Sequence, residues 1–123
     1  MTQAQLTPEE TVAAVAALAD DRKALDIVQL DLRGMIGYAD YFVICTGRSD
    51  RQTRAIHDGI HAGMKQAHGL LPRRVEGLSE GRWILMDYLD VVVHVFTPET
   101  REFYRLEQLW GEAPALAVGA GAA

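Results

Sequence analysis

Six consecutive residues, Tyr41–Thr46 (YFVICT), are β-prone and apolar or nearly so, with no alternating polar positions. A strand with that pattern has no face to give to water, so both of its sides must be covered. That requirement points to a layered α/β arrangement, with helices packed over a sheet.

The segments on either side supply those layers. Thr7-Pro8-Glu9-Glu10 combines a capping threonine, a proline suited to the first helical position and a glutamate that completes a capping box. Val12, Val15, Leu18 and Ala19 follow at helical spacing, which predicts an amphipathic helix from Pro8 to about Asp20. Residues 25–32 (LDIVQLDL) alternate as a strand, and residues 33–37 punctuate. Ser49-Asp50-Arg51-Gln52 reads as a second capping box, opening a helix through Ile56, Ile60 and Met64 to about His68, with Gly69 placed to stop it. A short strand is expected over residues 71–76 and a turn over 77–81. Residues 82–88 (RWILMDY) and 90–96 (DVVVHVF) read as the arms of a tight antiparallel hairpin. Thr97-Pro98-Glu99 starts a last helix, whose Phe103, Leu106, Leu109 and Trp110 form its expected buried stripe. The order α-β-β-α-β-β-β-α predicts one α/β domain over residues 1–110, a mixed sheet of about five strands flanked by helices. Residues 111–123, rich in Ala and Gly and broken by Pro114, are expected to be a disordered tail.

Length and charge bound the function. At 123 residues there is room for one core, and 49% hydrophobic residues suffice to fill it without metal or disulfide support. The one cysteine, Cys45, has no partner for an intramolecular bridge, which fits a reducing compartment. Residues 1–10 lack the basic start and apolar run of a secretory signal, and no stretch of about 18 apolar residues offers a membrane span. A cytoplasmic location is therefore expected. The net charge of −5 argues against a broad basic face for nucleic acid, although Arg48, Arg51, Arg54 and the Arg73/Arg74 pair are local basic spots. An acidic surface suits a basic protein partner instead.

No complete catalytic constellation stands out. Gly34, Gly37 and Gly47 do not form a dinucleotide fingerprint. Gly47-Arg48-Ser49 between a strand and a helix, with Asp87 and Asp90 nearby, is the logic of metal-dependent nucleotidyl transfer. The i,i+3 spacing of those acids straddles a turn, however, whereas two ligands on one strand face need i,i+2. Ser49 as a helix cap is the simpler reading. His57 and His61 share a helix face without a third metal ligand, and are expected on a solvated face. His94 within a run of valines reads as a hydrogen-bonded sheet histidine, and Cys45 as a buried structural thiol. Neither a metal nor a cofactor is expected. The segment from Trp83 to Tyr88 is different. Trp83, Leu85 and Asp87 alternate with Ile84, Met86 and Tyr88, and Trp, Tyr and Met serve cores and interfaces equally well.

Several runs together resemble the Iojap-like ribosomal silencing factor family. They are YADYFVICTG at 38–47, Ser49 with Arg51-Gln52, Glu76-Gly77, WILMDY at 83–88, DVVVHVF at 90–96, and REFY at 101–104 leading to LEQLW at 106–110. The resemblance is ordered and spans residues 25–110. It implies a nucleotidyltransferase-like fold without enzymatic activity. It further implies binding to the large ribosomal subunit through its ribosomal protein number fourteen, steric blocking of small-subunit joining, and repression of translation. A role in large-subunit assembly is also associated with the family, some members form homodimers, and direct RNA contact stays open. The resemblance marks Trp83, Met86, Asp87 and Tyr88 as partner-facing: Trp83 and Met86 for apolar contact, Tyr88 for contact and a hydrogen bond, Asp87 as a charge for a basic group. Trp83 and Met86 point to opposite strand faces, which leaves open that one of them is core. Two departures from the family pattern are Leu89, where many relatives carry glycine, and Met86 in place of a leucine.

Overall fold

The computed structural model describes residues 6–119. In chain order the elements are α1 (Pro8–Asp21), β1 (Leu25–Asp31), β2 (Tyr41–Thr46), α2 (Asp50–His68), β3 (Arg74–Glu76), β4 (Trp83–Asp87), β5 (Val91–Phe96), α3 (Pro98–Tyr104), α4 (Leu106–Leu109) and β6 (Ala115–Val118). The strands form one six-stranded sheet in the order β3-β4-β5-β2-β1-β6. The β2–β5 pair is parallel and the other four pairings are antiparallel. Every residue of β2 and β5 is buried. The two runs without alternation are thus the centre of the sheet, as strands covered on both faces must be.

Local chemistry sets the helix ends. The Thr7 hydroxyl accepts the Glu10 N–H at 3.1 Å and the Glu10 carboxylate accepts the Thr7 N–H at 2.9 Å. Ser49 caps α2 by accepting the Gln52 N–H at 3.2 Å. The second box is not reciprocal: the Gln52 side chain takes the Arg48 N–H instead. Gly69 closes α2 at φ 63, a left-handed conformation that glycine adopts without a Cβ penalty.

Helices α1 and α2 lie together on one face. Val12, Val15, Ile56, Ile60 and Met64 meet Val43, Cys45, Ile84, Met86, Val93 and Val95 there. Gly63 lies against the Leu18 side chain, which would have to shift to admit a Cβ, so the helices approach closely there. On the other face a second cluster holds Leu30, Leu32, Phe42, Ile44, Phe96 and Leu106, with Trp110 packed edge-on at 5.1 Å from Phe42.

Two expectations fail at the C-terminal end. The last helix is split: Arg105 sits at φ 47, separating α3 from α4. The break rotates the residues after it out of helical phase. Leu106 is buried and Trp110 half-buried, while Phe103 is 79% and Leu109 67% exposed, so the four form no common stripe. The stretch expected to be a disordered tail contains β6, which pairs with β1 from Ile27↔Val118 to Leu30↔Ala115. Its side chains are mostly exposed. Backbone pairing to the free edge of β1, not side-chain burial, makes it a strand. Residues 120–123 of that stretch, and residues 1–5, lie outside the described residues.

Candidate functional site

The two faces of β4 are covered unequally. Ile84 and Met86 are fully buried under α1 and α2, and Tyr88 joins them at 6% exposure. On the opposite face Trp83 and Leu85 are only half-buried, against Phe96 and His94 on β5. Helix α3 beside them buries none of its own residues. A half-open strip therefore runs along β4, beside the fully buried β5.

Aromatic rings line that strip. The Trp83 ring lies 4.7 Å from Tyr104, which in turn lies 5.0 Å from Phe103. The Trp83 indole N–H donates to His94 Nδ1 at 3.0 Å. His94 is itself packed edge-on to Phe42 at 4.6 Å. Burial pushes its imidazole down to about 4, so the ring is neutral at pH 7. Its Nε2 has no partner among the described residues. Such a buried orphan costs about 1–3 kcal/mol, a cost a ligand can relieve.

Asp87 closes the strip at the hairpin end. Its carboxylate accepts from Arg73 Nη2 at 2.9 Å and from the Leu89 N–H at 2.8 Å, with Arg74 at 3.6 Å. Burial alone raises its carboxyl, but the Arg73 and Leu89 hydrogen bonds and the two guanidinium charges more than offset it. The net result lies below the usual carboxylate range. The turn itself is tight. The Asp90 N–H donates to the Tyr88 carbonyl at 3.1 Å around Leu89, which sits at φ 79.

Of the four residues marked as partner-facing, then, Trp83 alone keeps half-exposed area on the half-open strip. Met86 is the one of the Trp83/Met86 pair that belongs to the core. Tyr88 also points into the core, its hydroxyl unpartnered and pushed up to about 12 by burial. Asp87 shares the face of Trp83 and Leu85 but is 4% exposed and already paired. Sequence reasoning missed Phe103 and Tyr104, which it had assigned to packing or to motif alone. The spacing of Phe103 with Leu106, Leu109 and Trp110 reads as a buried helical stripe because the break at Arg105 has no mark in the sequence. It also missed the tie from Arg73 and Arg74 to Asp87.

The rival constellation does not assemble. Ser49 follows the end of β2 where Thr46 pairs with Phe96, whereas Asp87 pairs with Val92 and the Asp90 carbonyl accepts from Asp40 at the other end. Four residues of strand separate the two, about 13 Å at ~3.3 Å each. One metal ion spans no such gap. Ser49 caps α2 at the mouth of a cavity of about 670 Å³, whose walls include Arg48, Arg82 and Tyr104. Cys45 is fully buried, its thiol pushed up to about 12 by desolvation. His57 is buried too, not solvated, because it falls on the stripe of Thr53, Ile60 and Met64.

A family model described as "Ribosomal silencing factor during starvation" matches residues 5–121. The ribosomal silencing factor RsfS of Bacillus subtilis is 48% identical over 99 residues, covering 80% of this chain and 83% of that protein. A mouse protein named mitochondrial assembly of ribosomal large subunit protein 1 is 35% identical over 101 residues, 78% of this chain and 43% of its own length. A crystal structure of a Chromobacterium violaceum protein superposes with a TM-score of 0.83 at 34% identity, covering 94% of this chain and 96% of that one. The matched region includes β6, so similarity extends to the sixth strand as well as to the hairpin.

Proposed function

The chain belongs to the ribosomal silencing factor family, and on that premise we propose that it binds the large ribosomal subunit through ribosomal protein number fourteen. Seated there, it keeps the small subunit from joining and so represses translation. The observation that carries this reading is the uncovered aromatic strip of Trp83, Tyr104 and Phe103, the last 79% exposed. Aromatic side chains, here Trp83 on β4 and Phe103 and Tyr104 on α3, are typical anchors of protein interfaces. Blocking by occupancy requires only affinity and bulk, and an interface of about 1,600 Å² in total is within reach of a domain this size. The net charge of −5 supports a basic ribosomal protein as the partner.

In this reading Trp83 makes direct contact, and Asp87 shapes the surface by holding Arg73 and the Leu89 turn. Met86 and Tyr88 act from beneath, keeping β4 in place. The setting is the cytoplasm; no helix among the described residues is long and apolar enough to cross a membrane.

Light scattering from mixed large and small subunits tests the proposal. Added in excess, the chain should lower subunit association in a dose-dependent way, and isolated protein fourteen should restore it. Phe103→Ala should weaken the block by roughly tenfold with no loss of thermal stability, since an exposed anchor contributes to binding and not to folding. Unchanged association together with no co-sedimentation on large subunits would end the ribosomal reading. The mouse relative's name favours a second reading, a role in building the large subunit. It predicts immature large subunits in sucrose-gradient profiles of cells depleted of the protein.

A further inference from the structure

Beside the aromatic strip, a groove of about 330 Å³ opens between the β4–β5 hairpin and Tyr38. Donors outnumber acceptors in it. His94 lies against it at 4% exposure. An indole N–H can only donate, so Trp83 makes Nδ1 of His94 the acceptor and leaves the ring proton on Nε2. That Nε2–H has no partner among the described residues. Arg73 and Arg74 stand at the same groove with side chains 62% exposed. The one carboxylate lining it, Asp87, already accepts from Arg73 and from the Leu89 N–H. Glu76 occupies only Nη1 of Arg74, at 3.2 Å. Asp87 and Glu76 thus balance the two guanidinium charges but use only part of their N–H donors, and the neutral imidazole adds one more donor.

We propose that this groove is a carboxylate subsite, in which an Asp or Glu side chain of the docking partner enters between Arg73 and Arg74 and accepts the Nε2–H of His94. Phe42, Leu85 and Val92 provide apolar walls for its methylene groups. A carboxylate fits better than an RNA phosphate. It is flat and terminal, so meeting the buried Nε2–H requires less displacement of the groove walls than a phosphodiester held between two sugars would. A fixed Asp87 beside the arginines also disfavours the more highly charged strand. The docking reading supplies the partner, but the carboxylate chemistry rests on the groove itself.

The two can be tested apart. In the full chain labelled with ¹⁵N at histidine and arginine side chains, N-acetylglutamate should move the His94 Nε2–H resonance in a saturable way at constant ionic strength. The R73Q/R74Q double variant should lose that response. No saturable shift, or a stronger response to dimethyl phosphate than to the carboxylate, overturns the proposal in favour of no subsite or of an RNA-facing one. In co-sedimentation with large subunits, R74Q and His94→Gln should each weaken binding by roughly tenfold, the usual effect of removing one charged hydrogen bond. R74Q guards against a His94 variant that disturbs Trp83. Wild-type affinity in both variants sinks the subsite while leaving docking intact. Failure of the wild-type chain to co-sediment sinks docking, and the titration still decides the subsite.

Discussion

Asp87 and Tyr88 are neighbours in sequence with opposite surroundings, and the difference gives each its own test. Asp87 is buried but fully supplied with donors, from Arg73 and the Leu89 N–H. Its folded carboxyl lies below the ordinary value, so its contribution to stability is complete above about pH 4 and is lost as pH falls through the lower folded value. Urea melts of wild type and Asp87→Asn should differ by about 1–3 kcal/mol at pH 7, with the gap shrinking below pH 4. Tyr88 is the reverse, a buried hydroxyl with no partner among the described residues. Tyr88→Phe deletes an unsatisfied group and keeps the ring, so thermal melts should show no destabilisation and a gain of up to about 1 kcal/mol. A loss would mean that the hydroxyl has a partner after all. The alternation of Trp83, Leu85 and Asp87 with Ile84, Met86 and Tyr88 was legible from the strand period. Which of the two sets faces α1 and α2 was not, because both contain aromatic and apolar residues and the choice is made by helices distant in the chain.

At the scale of elements, what the sequence revealed was local chemistry. The Thr7 box, the Ser49 cap and the Gly69 stop each rest on contacts within five residues, and each stands where the motif put it. The break at Arg105 has no such local marker. Arg101 on α3 reaches the Asp26 carbonyl at 2.7 Å and the Thr46 hydroxyl at 2.8 Å, partners 75 and 55 residues away. Helix propensity across residues 98–110 carries no trace of those ties. The hairpin turn lies between these cases. Leu89 stood out as a residue where glycine is expected, and it does adopt φ 79. A Cβ in that conformation costs about 1–2 kcal/mol, partly offset by the greater freedom glycine regains on unfolding. Leu89→Gly should therefore raise the unfolding free energy by about 0.5–1 kcal/mol in denaturant titrations. A decrease would indicate that the half-exposed Leu89 side chain contributes more than its backbone costs.

For the whole molecule, sheet order separates function from edge. Strand β6 occupies one edge and β3 the other, with β4 next to β3. From β6 to β4 is four strand spacings, about 19 Å at ~4.8 Å each. The side chains of β6 are largely exposed, and Val118 is the only one of its residues packed against the first core cluster. What β6 contributes is mainly backbone pairing with β1. Low side-chain burial is also why its composition read as a tail: nothing in Ala-Leu-Ala-Val announces a strand once apolar cover is not the cause. A chain ending at Pro114 keeps the bond from the Asp31 N–H to the Pro114 carbonyl at 2.9 Å and loses only the ladder beyond it. Its β1 edge then turns to water, which re-forms the lost hydrogen bonds at a modest net cost of ~1 kcal/mol each. The truncated chain should unfold at lower denaturant, exchange the amide protons of β1 faster, and still co-sediment with large subunits at wild-type affinity. Loss of binding in a chain that remains folded would move the docking surface to the β1–β6 edge and away from the hairpin.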